Sequence, residues 1–200
     1  METFDHLVIS ADTLAEGCAH VEAQTGHTMG PGGTHARMST HNRLSGLGPA
    51  EYMEVIAIDP DAPAPDCTRW YDLDARQGQP RLSNWVLRTT DLDGLVRRFP
   101  GAGHILSFAR GAYRWRMAVP EDGNLPFDGI FPAFIQWDVG PPDFEDAGLR
   151  LTKLTLCHPE ADHLASTLAE LTSDARIEIL PGKRSITAQL ETPHGIRSLR

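Results

Sequence analysis

The chain has 200 residues, with 27 Asp and Glu against 18 Lys and Arg, for a formal net charge of −9. Hydrophobic residues at 40% and charged residues at 22% describe a soluble globular chain long enough to bury a core, and exclude global disorder. The acid excess disfavours nucleic-acid and anionic-membrane partners, which need clustered Lys and Arg; Arg110, Arg114 and Arg116 are too few. Cys18, Cys67 and Cys157 are widely spaced with no CxxC pair, so neither a disulfide framework nor a structural zinc site is expected. No run reaches the roughly 20 apolar residues of a membrane span. The opening Met1-Glu2-Thr3-Phe4-Asp5-His6 lacks a basic signal region, which points to a cytoplasmic protein.

In chain order, residues 4–10 read as a strand and Asp12 or Thr13 caps a helix that runs to about Gln24 and closes at Gly26. Leu14, Cys18 and Val21 stand at helical spacing on it. A turn at Gly30-Pro31-Gly32-Gly33 leads to strands near residues 42–47 and 51–58, and the proline-acid run 59–65 ends this unit as an extended linker. The order returns with a strand at 84–90, a helix from Asp91 carrying Leu92, Leu95, Val96 and Phe99, and strands near 105–109, 112–119 and 131–138. A third round has a strand at 151–157, a helix starting around His158-Pro159-Glu160 with Leu164, Leu168 and Leu171 as its stripe, and strands near 176–180 and 185–191. Strands outnumber helices about threefold, so the fold class is α+β with a repeated module rather than a doubly wound sheet.

Alternation on the first strand puts His6 on the face opposite Leu7 and Ile9, away from the helices. On the strand 51–58, Met53, Val55 and Ala57 share one face and Tyr52, Glu54 and Ile56 the other; periodicity leaves open which faces the helix. If Ala57 takes the helix, Glu54 joins His6. An imidazole beside a carboxylate is half of a divalent-metal site, a base with its orienting partner, or a pair of ordinary buried strand residues.

Phe4-Asp5-His6-Leu7-Val8-Ile9, Gly32-Gly33-Thr34-His35, Thr40-His41-Asn42-Arg43-Leu44 and Tyr52-Met53-Glu54-Val55-Ile56-Ala57 resemble the opening module of the glyoxalase-like branch of the vicinal-oxygen-chelate superfamily. Arg114-Trp115-Arg116, residues 129–137 and Leu156-Cys157-His158-Pro159 resemble that branch too. The resemblance implies one glyoxalase-like domain over residues 1–200, with βαβββ modules at 1–60 and 82–140 and a third βαββ-type round at 149–200. Their sheets would curl into a mixed-sheet cup with helices outside. It also implies a divalent metal (Zn, Mn, Fe or Ni) on strand residues, here His6, Glu54 and, in the second module, Gln136. Trp85 and Leu154 stand where further ligands would be, so the four-ligand set is incomplete.

His35 and Asn42, after the glycine turn, and Trp85, Trp115 and Gln136 complete the candidate substrate-binding set, each weighed against plain packing or turn-holding. Arg114 and Arg116 share one face of their strand and Tyr113, Trp115 and Met117 the other; facing the cup, the arginines would clamp an anion, otherwise they line a solvated edge. No GxxxxGK[ST], GxGxxG or GxSxG occurs. The expected function is a small-molecule-binding protein acting as a metal-dependent isomerase, lyase or dioxygenase on vicinal oxygens, with His6 and Glu54 as catalytic residues. The alternative is metal-free sequestration of an apolar or aromatic compound. The superfamily's module pairing also suggests a homodimer.

Overall fold

A computed structural model describes residues 1–200. It is 17% helix and 40% strand, and its larger sheet is curled and nearly closed with the helices outside. β1 (Thr3–Ser10) leads into α1 (Leu14–Thr25), then β2 (Thr34–His35), β3 (Thr40–Gly46) and β4 (Tyr52–Ile58). β5 (Arg81–Arg88), α2 (Leu92–Arg98), β6 (His104–Arg110), β7 (Tyr113–Val119) and β8 (Ala133–Val139) repeat that order. The eight strands lie in the order β2-β3-β4-β1-β5-β8-β7-β6. Within each half the first strand runs parallel to the last, and β1 and β5 join the halves antiparallel. The edge strands β2 and β6 approach each other, so the sheet wraps on itself.

Thr13 caps α1 by accepting the Glu16 N–H, and Gly26 ends it in the left-handed conformation at φ 73°. The deepest contact of α1 is Gly17: a Cβ there would sit 2.4 Å from Val55 Cγ1 and 2.9 Å from Ala11 Cβ. The Val55 face of β4 therefore takes the helix, and Tyr52, Glu54 and Ile56 turn into the cup. Gly17→Val should cost at least about 2 kcal/mol, since overpacking at a rigid contact outweighs the better helix propensity. Chemical denaturation measures this, and an unchanged midpoint would show that α1 can ride up without loss.

The third round stands apart from the cup. β9 (Arg150–His158), α3 (Ala161–Ala169), β10 (Ile177–Pro181), β11 (Ser185–Thr192) and β12 (Gly195–Leu199) form a second sheet in the order β10-β9-β11-β12. α3 starts after Glu160 rather than at His158, whose Nδ1 accepts the Glu160 N–H. One buried apolar cluster runs through both sheets, from Leu7 and Trp85 to Leu154 and Leu190. No helix is long and apolar enough to cross a membrane.

Candidate functional site

β1 does not alternate cleanly at its start. Between Phe4 and His6 its register against β5 slips by one residue, a bulge that leaves Asp5 unpaired. The bulge turns Asp5 back along the strand, so that its Oδ1 accepts from His6 Nδ1 at 2.6 Å. Its Oδ2 accepts from Arg88 Nε at 2.6 Å and Trp137 Nε1 at 3.1 Å. Asp5 is fully buried. Burial pushes its carboxyl up, but the bond from His6 and the charges of His6 and Arg88 outweigh that and hold it below 3.8.

With Nδ1 committed to Asp5, His6 presents Nε2 to Glu54 Oε2 at 3.6 Å. The His6 ring stacks on Tyr52 at 4.3 Å, its direct neighbour in the β1–β4 register. Glu54 Oε1 accepts from Asn42 Nδ2 at 2.6 Å. Asn42 is a hub: Nδ2 also reaches His35 Nε2 at 3.4 Å, and Oδ1 accepts from the Gly33 N–H at 2.8 Å and from Arg110 Nη1 at 3.2 Å. His35 donates from Nδ1 to Thr40 Oγ1 at 3.0 Å, the bonding of a neutral ring. Burial, reinforced by Arg110, His6 and His41, lowers its pKa from 6.5 to about 3.

These groups line a partly open cavity of about 30 Å³, the room of a single water. Its other walls are Trp115 and Met117 of β7, Ile135 and Trp137 of β8, and Trp70 and Tyr71. Trp70 and Tyr71 belong to a short 3-10 turn (Trp70–Asp72) in the strap between β4 and β5 that caps the cup. Tyr71 and Asp72 both hold left-handed backbone, at φ 59° and 53°, a strained choice for non-glycine residues. Burial, together with the charges of Asp5 and Glu54, keeps the Tyr52 and Tyr71 hydroxyls protonated well above the usual phenol range.

Five residues singled out in the sequence meet here: His6, His35, Asn42, Glu54 and Trp115. Two do not. Trp85 pairs directly with Leu7, so it shares the Leu7 face, and its indole N–H donates to Ile130 O at 2.8 Å in the core. Gln136 pairs with Arg116 on the outer side of the sheet, where its Oε1 accepts the Leu92 N–H at 3.0 Å and caps α2. Arg114 and Arg116 likewise face out, Arg116 pairing with Asp93. Alternation hid Asp5, and no local pattern marked Arg88, Arg110, Trp70 or Tyr71, which reach the site across the sheet or from the strap.

The donors present do not fit a divalent metal. No group of His, Cys, Asp and Glu of the size a metal site needs converges anywhere in the structure. His6 and Glu54 stand together, but Val86 lies opposite His6 on β5, and Met117, Ile135 and Trp137 complete that side. The lone pair of His35 Nε2 is taken by Asn42.

The strand order β2-β3-β4-β1-β5-β8-β7-β6, with its two parallel first–last pairs, is that of paired βαβββ modules. The sequence model of the glyoxalase-like domain matches residues 4–172. The chain belongs to the glyoxalase-like family. It is a member of the vicinal-oxygen-chelate superfamily. Among solved structures, this glyoxalase-like chain is similar to a hypothetical protein from Staphylococcus aureus. The two share 15% identity and a TM-score of 0.62 over 92% of this chain and 88% of that one, a likeness of fold. It is also similar to methylmalonyl-CoA epimerase from Streptomyces coelicolor, at 17% identity and TM-score 0.45 over 71% of this chain and all of the other. The Mycobacterium tuberculosis epimerase stands at 17% and 0.44, over 70% of this chain and 89% of its own. No curated protein matches this glyoxalase-like sequence.

Proposed function

We propose that the cup binds a small oxygen-bearing organic compound and moves a proton on it with Glu54 and the Asp5–His6 pair, without a resident divalent metal. The observation that carries this reading is the buried Asp5–His6 bond of 2.6 Å, which leaves His6 Nε2 facing Glu54 Oε2 across 3.6 Å. That gap exceeds a direct hydrogen bond, and both residues line the same cavity. Asp5 fixes the orientation of the ring, as an orienting carboxylate does for a catalytic His. Glu54 is the base that takes a proton from a carbon next to a carbonyl. The C–H electron pair moves onto the carbonyl oxygen, which receives its proton from His6 Nε2. Return of the proton from Glu54 to the former carbonyl carbon, as a hydroxyl on the carbon that lost it gives its own proton to His6, completes isomerisation; expulsion of a neighbouring group protonated by Glu54, as the enol proton returns to His6, gives a lyase.

The test is deuterium incorporation into neutral 2-hydroxyketones in D₂O, followed by NMR with chelator present. We expect chelator-independent exchange that falls by on the order of 10²–10⁴ in Glu54→Gln and in His6→Gln. Exchange no faster than buffer across the panel would defeat the reading and leave sequestration between Trp70, Trp115 and Trp137. Near-stoichiometric Zn, Mn, Fe or Ni, lost from both His6→Ala and Glu54→Ala, would defeat its metal-free part.

A further inference from the structure

We infer that the ligand of this cup carries a carboxylate, taken up by the Arg110 guanidinium and the Trp70 indole N–H; this rests on reading the cup as a small-molecule site. Arg110 is the one arginine that lines the cavity. It ends β6, at the seam where the sheet's edges meet, and its stem lies over Gly33, where a Cβ would come within 2.8 Å of Arg110 Cδ. The glycine turn is thus shaped to let this side chain reach inward. Once there it has a single protein acceptor, Asn42 Oδ1 at 3.2 Å.

Three other arginines of the sheet and strap are ion-paired: Arg88 with Asp5, Arg69 with Asp74, Arg116 with Asp93. Arg110 has no carboxylate within ion-pair distance, although a guanidinium carries five N–H donors in a planar fork. Glu54, the acid of the cavity lining, has the Asn42 amide between it and Arg110. A second donor is also unmatched: Trp70 lines the same cavity, and its indole N–H is buried with no acceptor in the protein.

A half-buried fork and a buried N–H, set among the flat walls of Trp115 and Trp137, suit a planar anion with two acceptor oxygens. A carboxylate fits better than a phosphate. It is planar and singly charged, whereas a dianion would meet the Glu54 carboxylate in the same cavity. The substrate class is therefore a short carboxylic acid whose reacting carbon sits by His6 and Glu54.

The experiment is ligand-observed NMR titration with matched acids and neutral amides, propanoate against propanamide and benzoate against benzamide, with inorganic phosphate as a further probe. We expect each acid to bind at least about tenfold tighter than its amide. Arg110→Gln, which keeps an amide to meet Asn42, should erase that preference. Arg110→Lys should keep part of it, Trp70→Phe should weaken acid binding severalfold, and the exposed Arg197→Gln should change nothing. An arginine that merely latched the seam would shift the melting temperature and leave the acid-to-amide ratio intact.

Equal binding of acid and amide, an unaltered ratio in Arg110→Gln, no carboxylate binding at all, or tighter binding of phosphate would each overturn the inference. Proton exchange on neutral ketones keeps the two proposals separate. Exchange with no acid preference overturns the carboxylate alone, and acid preference without exchange overturns the acid–base reading alone.

Discussion

Asp5→Asn is expected to destabilise the fold by about 3 kcal/mol and to weaken proton exchange with it. The carboxylate takes three donors, from His6, Arg88 and Trp137, and no solvent reaches it. An amide can accept from one side only and must turn its own N–H groups toward a donor on the other. Arg88 then loses its partner while three-quarters buried, the situation in which breaking an ion pair costs most. Because the Asp5 carboxyl titrates below 3.8 in the folded protein, its contribution is complete above that value and is lost as the pH falls through the folded pKa. Urea unfolding at neutral pH measures the cost. A loss below about 1 kcal/mol would show that the bulge is held by backbone bonds and that Asp5 is a passenger.

His35 should make the protein acid-labile over a different window. Its pKa falls from 6.5 in an exposed chain to about 3 in the fold, because burial and the Arg110 charge oppose protonation. The unfolded state therefore binds a proton between those values that the folded state refuses. Stability is full above 6.5 and declines as the pH falls toward 3, with a limiting slope of about 1.4 kcal/mol per pH unit. His27, also lowered by burial, adds to the decline in the same direction. His35→Gln keeps an amide for Thr40 and Asn42 but cannot take a charging proton, so it should flatten the slope across the window. The comparison is of slopes rather than absolute stabilities, which removes any packing loss against Trp70 and Trp115. An identical slope in His35→Gln would mean that His35 accepts its proton in the fold by turning outward.

Much of the cup was legible in the chain because its signals are local. Alternation placed His6 opposite Leu7 and Ile9, caps marked α1 and α2, and the return of strand, helix and strands announced the repeat. β12 and the strap were not legible. β12 is exposed along nearly its whole length and carries no alternation, and the strap has no periodicity to read.

The site was legible only in part, and each miss has a non-local cause. The face of β4 hung on one contact, Gly17 against Val55, between elements about 40 residues apart. Trp115 and Gln136 could both face the cup until the β7–β8 register paired Arg116 with Gln136 and Trp115 with Trp137. Trp85 followed Leu7 into the core for the same reason. Sequence by itself determined the types of most elements of the cup, the repeat, and the pair His6 and Glu54 as residues of one face. Tertiary structure decided the rest, because strand register, the bulge at Asp5 and the closing of the β2–β6 seam are set by pairing between distant segments. No window of neighbouring residues contains that information.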